Sequence, residues 1–141
     1  MQARDILTIK GTVLYTVSPE NKLSEAVATM SGEDIGSLVC FDGGRMAGML
    51  TFREVLQALN ANGAAWGGVR VADVMVREPF VAEPGMGVDD LRRIMLDRHM
   101  RYLPVMEGDT LLGVISFHDV AKAILEDQAF ENKMLKAYIN E

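Results

Sequence analysis

A mixed α/β fold, two pseudo-symmetric β-α-β-β-α repeats packed as one module, is predicted for this chain by three observations. The first is an internal repeat without a gap. Val17–Leu59 aligns with Ala82–Ile124 at an offset of sixty-five residues. Pro19, Met30, Leu38, Gly43, Gly48, Phe52, Val55 and Ala58 then meet Pro84, Met95, Leu103, Gly108, Gly113, Phe117, Val120 and Ala123. The second is that each copy moves from helically spaced apolar residues to short apolar runs of strand length. The third is a turn at the same point of each copy, Asp42-Gly43-Gly44 and Glu107-Gly108-Asp109, of the kind that joins hairpin strands. A supersecondary unit used twice must bury its apolar face against something. A chain of 141 residues supplies one such core more readily than two.

Taken in order, each copy opens with a short extended run, Val13–Val17 or Phe80–Ala82, that ends at Pro19 or Pro84. A helix is expected to follow, started by Ser18-Pro19 in the first copy and favoured by acids in its early turns, Ser24-Glu25 and Asp89-Asp90. Its apolar positions are Leu23, Ala26, Val27 and Met30, and then Val88, Leu91, Ile94 and Met95. A buried strand comes next (Ser37–Phe41; Tyr102–Met106), then the turn, then a second strand (Met46–Leu50; Leu111–Ile115). A final helix opens at Thr51 or Ser116, both good capping residues. A shorter echo, Arg4-Asp5-Ile6-Leu7 against Ala72-Asp73-Val74-Met75, leads into each half. The boundaries read from these signals are repeat 1 over 1–59, a flexible connector over 60–70, repeat 2 over 71–125 and a helical tail over 126–141. Trp66 in the connector is read as a packing residue over the seam. The tail carries Phe130, Met134, Tyr138 and Ile139 near helical spacing and calls for a partner surface.

Composition narrows the function. Hydrophobic residues make up 49% and charged residues 24%, which fits a folded globular protein. The net charge of −6 repels nucleic acid and anionic membranes, so neither is expected as a partner. No apolar stretch approaches the length of a membrane span. The opening Met-Gln-Ala-Arg-Asp lacks the hydrophobic region of an export signal, and the one cysteine, Cys40, fits a reducing compartment; a cytoplasmic protein is expected. Ten methionines sit mostly at apolar repeat positions as core filler.

The sequence also withholds the usual machinery of catalysis. His99 and His118 have no companion ligands at metal-binding spacing. Nucleophile elbows, phosphate-cradling loops and dinucleotide fingerprints do not occur. Cys40 lies mid-strand in an apolar run and reads as an inert thiol. No catalytic residue, metal site or enzyme activity is expected.

One constellation carries chemistry. Gly113-Val114-Ile115-Ser116-Phe117-His118-Asp119 and its partner Gly48-Met49-Leu50-Thr51-Phe52-Arg53-Glu54 each end a strand, cap a helix with a hydroxyl and place a carboxylate three residues on. A capping box accounts for this pattern by itself. The same geometry also suits a ligand, since free N–H groups and a hydroxyl at a helix N-terminus seat phosphate and a carboxylate one turn in accepts a ribose diol.

Through these junctions the repeated unit resembles the CBS domain, and the whole chain a tandem CBS pair (Bateman module) of the small stand-alone bacterial kind. The resemblance rests on the runs ending at Pro19 and Pro84, the Arg101-Tyr102-Leu103-Pro104-Val105 strand, the two Gly-to-carboxylate junctions, and Asp5-Ile6-Leu7 with Asp73-Val74-Met75. It implies two clefts related by a pseudo-twofold axis that bind adenosine nucleotides: AMP first, with ADP, ATP, NAD(H) or S-adenosylmethionine as further candidates. It assigns Ser116 to phosphate and Asp119 to the ribose hydroxyls. His118 either reaches a phosphate or is an idle exposed histidine. The base would be held by the other copy, at Lys10, Gly11, Thr12 and Val13 and at Ile35, Gly36 and Ser37. In the second cleft Thr51 fits, but Glu54 stands where aspartate is expected, so that cleft is empty, weak or differently selective. Arg53 and Arg101 are candidates for phosphate, with a surface salt bridge as the alternative for Arg101. Tyr102 and Phe80 either line the base pocket or pack in the core.

The function so implied is a regulatory ligand-sensing module, with no required cofactor, that signals by shape change to an effector protein in trans. A homodimer is expected, with Leu23, Ala26, Val27, Met30, Leu91, Met95 and the tail as its apolar surface. The alternative is a structural or protein-interaction dimer module whose clefts hold nothing.

Overall fold

The computed structural model describes residues 1–11 and 13–139. Along the chain the elements are α1 (Ala3–Lys10), β1 (Thr16–Val17), α2 (Leu23–Gly32), β2 (Ser37–Asp42), β3 (Arg45–Thr51) and α3 (Phe52–Asn62). After a 3₁₀ segment (Gly63–Gly68) come α4 (Val71–Val74), β4 (Val76–Arg77), α5 (Val88–Asp97), β5 (Tyr102–Glu107), β6 (Thr110–Ser116) and α6 (Phe117–Ile139). The β-α-β-β-α order is present in the first repeat, the second shows α-β-β-α with a single bridge at Ala82 in place of its first strand, and two short lead-in helices, α1 and α4, run ahead of them.

These elements gather into two compact units: Val13–Phe80, and Val81–Glu141 together with Met1–Thr12. In the first, four strands form a sheet in the order β1-β2-β3-β4, with β1 parallel to β2 and the other pairs antiparallel. Its core is built from Leu23, Ala26 and Met30 of α2, Leu38, Cys40 and Leu50 of the sheet, Ala58 of α3, and Val71 and Met75. In the second, β5 and β6 pair antiparallel, and Ala82 alone bridges Val105 in parallel where a strand over Phe80–Ala82 was expected. Leu91, Met95, Leu103, Val105, Ile115 and Val120 are fully buried there.

The repeat holds in detail. Ser37 stands opposite Thr51 as Tyr102 stands opposite Ser116, and the hairpins slip register at matching points, Cys40/Phe41 and Val105/Met106. Asp34 and His99, sixty-five apart, both take a positive φ of 53° just past their helices.

The lead-in segments are exchanged between repeats: α1 packs with the second repeat and α4 with the first. The backbone docks them identically. In one unit Val88 N–H donates to Met1 O at 3.0 Å, Ala3 N–H to Met86 O at 2.8 Å and Arg4 N–H to Pro84 O at 3.0 Å. In the other, Leu23 N–H donates to Val69 O at 2.7 Å, Val71 N–H to Asn21 O at 2.9 Å and Ala72 N–H to Pro19 O at 2.9 Å.

This docking corrects the expected helix starts. α2 begins at Leu23 and α5 at Val88, several residues beyond the prolines, and neither Lys22 nor Gly87 supplies a side-chain cap. The lead-in carbonyls of Val69 and Met1 take that role. Ser18 instead closes a turn, its N–H donating to Asn21 Oδ1 at 3.1 Å and its Oγ accepting the Glu20 N–H at 3.3 Å.

Two further expectations change. The connector read as flexible is helical: α3 runs to Asn62 and the 3₁₀ segment to Gly68, with Trp66 packed on the core of its own unit. The tail is helical as expected, continuing α6 unbroken to Ile139. The apolar residues assigned to a dimer face are mostly already covered, since Leu23, Ala26, Met30, Leu91 and Met95 are each buried within their own unit. Helical periodicity marks a buried face without saying what buries it.

Candidate functional site

Ser116 ends β6 and α6 opens at Phe117, whose N–H donates to the Arg101 carbonyl at 2.8 Å. The expected capping box is formed: Asp119 N–H donates to Ser116 Oγ at 3.0 Å, and Ser116 N–H to Asp119 Oδ2 at 2.9 Å. A third residue joins them. Lys10, last in α1, donates from Nζ to Asp119 Oδ2 at 2.8 Å and to the Val114 carbonyl at 2.9 Å. The Lys10 ammonium and the Ser116 N–H converge on Oδ2. Burial alone raises the Asp119 carboxyl. The Lys10 hydrogen bond, the Ser116 N–H, the Lys10 charge and the Ser116 hydroxyl outweigh burial and hold the group below its ordinary value.

The equivalent junction in the other unit is arranged differently. Phe52 N–H donates to the Gly36 carbonyl at 3.3 Å, matching Phe117 and Arg101. Glu54, however, folds back so that one oxygen, Oε1, accepts both the Thr51 N–H at 2.8 Å and the Thr51 hydroxyl at 2.9 Å. Thr51 Oγ1 also accepts the Arg53 N–H at 3.3 Å, so this hydroxyl is committed as donor and acceptor at once. Ser116 Oγ accepts the Asp119 N–H, and its hydroxyl also favours the Asp119 carboxylate. Glu54 is only 5% exposed. It also borders a cleft of about 680 Å³ between α3, the 3₁₀ segment and α4, with Gln57, Asn62, Arg70 and Asp73 among the other polar groups.

The remaining candidates fall as follows. Gly11 closes α1 with φ 94°. Val13 is exposed, and Thr12 lies outside the described residues. Ile35, Gly36 and Ser37 head β2 beside Thr51. Arg101 heads β5 beside Ser116; its side chain is exposed and forms no ion pair among the described residues, so the salt bridge weighed for it is not found. His118 and Arg53 are exposed on first helical turns. Tyr102 and Phe80 are half-buried.

Lys10 was read as a base-holding residue; the structure puts it on a carboxylate. The sequence carried no signal of this contact, because the two residues lie 109 apart. The Cys40 thiol is pushed up to about 12, by burial first and then by the Glu54 charge, which agrees with an inert side chain. Among the described residues no cluster of three His, Cys, Asp or Glu side chains is placed to hold a metal, and no helix is long and apolar enough to cross a membrane.

Fold, repeat and paired strand–helix junctions together define a tandem α/β module, and comparison with known proteins places it. The CBS domain pattern matches residues 3–61 and again 71–126, so the chain belongs to the CBS-domain family. It is 30% identical over 110 residues to the CBS domain-containing protein YhcV of Bacillus subtilis, covering 78% of each chain. It superposes with a TM-score of 0.84 on a CBS-domain protein of Agrobacterium tumefaciens, at 32% identity, covering 87% of this chain and 98% of that one. An inosine-5'-monophosphate dehydrogenase of Korarchaeum cryptofilum is 32% identical over 108 residues, but those residues span only 21% of that enzyme.

Proposed function

We propose that this chain is a regulatory ligand-sensing module that binds an adenosine nucleotide, AMP foremost, at the Ser116–Asp119 junction and passes a change of shape to an effector protein in trans. The observation that carries this reading is the state of Asp119. Its carboxyl is held below the ordinary value, so it is an anion at neutral pH, and the Ser116 N–H and Lys10 meet it at the same oxygen, Oδ2. Such a group can accept a ribose hydroxyl without dismantling the cap. The α6 N-terminus and the exposed Arg101 and His118 supply positive potential and donors for a phosphate.

The Thr51–Glu54 junction is proposed as the weaker site, because Glu54 is one methylene longer and folds one oxygen back onto both Thr51 donors. Bearing on partner choice, large apolar side chains stand exposed on α3 (Phe52, Leu56, Leu59) and along α6 (Leu125, Phe130, Met134, Leu135, Tyr138, Ile139). A second copy of this chain is the occupant we propose for α6. Beyond Leu125 the acids Glu126, Asp127 and Glu131 precede the lysines Lys133 and Lys136, so an antiparallel copy paired over this stretch meets opposite charge.

A structural module with unoccupied junctions is the competing reading, favoured by capping boxes that are complete without ligand. A thermal-shift series with AMP, ADP, ATP, NADH and S-adenosylmethionine, repeated on Asp119→Ala, separates the two. A ligand at a hundred times its Kd adds about 2.7 kcal/mol. The sensor reading predicts a shift for an adenosine compound that the variant loses. A flat series, or a shift the variant keeps, supports the structural reading instead.

A further inference from the structure

We propose that Lys10 makes the Ser116–Asp119 junction select a phosphorylated ligand over a neutral nucleoside, by exchanging Asp119 for the ligand's phosphate as the ligand's hydroxyls take over the carboxylate. The inference rests on the reading that this junction is the ribose site.

A cis-diol brings two donors and is best met by both carboxylate oxygens. Oδ2 is held by the Ser116 N–H and by Lys10. The Ser116 N–H is part of the cap and stays in place. Lys10 is the partner that can leave. Its backbone is fixed, because α1 is docked through Ala3 and Arg4 and closed by the Gly11 N–H on Leu7 O at 3.0 Å. Its side chain is 40% exposed on a flexible four-carbon stem. The ammonium has three donors and uses two, on Asp119 and Val114.

Displacing Lys10 from Oδ2 separates a cation from its partner, and that cost is recovered only where the ligand supplies another anion. A phosphate within the sweep of the lysine does so, whereas an unphosphorylated nucleoside offers nothing in exchange. The device belongs to one junction. At the lead-in offset of sixty-eight residues, the counterpart of Lys10 is Glu78, which carries the opposite charge.

Isothermal titration of adenosine and of AMP into the full chain, as wild type, Lys10→Met, Lys10→Arg and Asp119→Ala, tests this. Wild type is expected to prefer AMP by about tenfold or more, a charge-assisted hydrogen bond's worth. In Lys10→Met that preference collapses, AMP weakening while adenosine holds or tightens, and Lys10→Arg restores it. An equal loss for both ligands in Lys10→Met, or no change in either, overturns the Lys10 proposal. It does so while leaving the site standing, provided Asp119→Ala abolishes both. If wild type binds neither ligand, or Asp119→Ala binds as well as wild type, the site reading fails and the selectivity proposal falls with it.

Discussion

Glu54 and Asp119 occupy the same place in the two repeats and differ by one methylene. The longer side chain turns back so that Oε1 takes both the Thr51 N–H and the Thr51 hydroxyl, while Asp119 Oδ2 takes the Ser116 N–H and Lys10. Glu54→Asp is therefore expected to recreate the second repeat's pattern and to strengthen any ligand binding at Thr51, read as a second titration event. Removing either partner of the Ser116–Asp119 cap costs about 1 kcal/mol of stability, measurable by urea unfolding. The pH dependence has a defined sign. A carboxyl whose folded value is depressed contributes stability that is present above its unfolded value and lost as pH falls through the folded one. Lys10→Met removes causes of that depression, so its acid-unfolding midpoint, followed by circular dichroism, moves to higher pH; an unmoved midpoint contradicts the assigned coupling. Cap and carboxylate were legible in the sequence because their partners lie three residues apart. Lys10 was not, since nothing local joins it to a residue at the far end of the chain.

The elements show why the repeat keeps glycine at Gly48 and Gly113. A Cβ on Gly48 would come within 3.2 Å of the Val76 carbonyl carbon and closer still to its oxygen, while one on Gly113 would meet Leu7 Cδ2 at 2.8 Å. Backbone cannot yield as the tip of a leucine can. Gly48→Ala is thus expected to cost about 3 kcal/mol and Gly113→Ala about 1 kcal/mol, the upper and lower ends of overpacking, in a denaturant series. Equal costs would contradict the assigned contacts. The glycines were visible as identities between copies, but their reason was not, because it lies in contacts with α1 at Gly113 and with β4 at Gly48. The exchange of α1 and α4 between the repeats misled the helix starts: Ser18-Pro19 has a helix-opening composition, yet Asn21 turns it into a closed turn and a distant carbonyl begins α2. Strands β2, β3, β5 and β6 were readable from apolar runs and turn glycines. Two-residue β1 and β4 carry too little pattern to be read with their true bounds.

Across the whole molecule, the apolar surface divides between cores that each unit closes by itself and helical faces left bare. α6 is 23 residues long, about 34 Å at 1.5 Å per residue, and beyond Asp127 all its described side chains are exposed. A bare helical extension of that length is marginal in water without a partner. The full chain is expected to sediment as a dimer at micromolar concentration. Phe130→Glu with Met134→Glu is expected to shift it to monomer with the circular dichroism of the remainder intact. A wild-type monomer, or a dimer indifferent to these changes, removes α6 as the self-association surface. Periodicity foresaw the tail's apolar face but misassigned Leu23, Leu91 and their neighbours, since one pattern describes a face buried by its own sheet and a face awaiting a second chain.

The most direct measurement is the stoichiometry of AMP by isothermal titration in wild type, Asp119→Ala and Thr51→Ala. Ligand sensing at Ser116–Asp119 predicts one site per chain that disappears in Asp119→Ala and survives in Thr51→Ala. Binding that survives in Asp119→Ala, or that is lost with Thr51 instead, contradicts it.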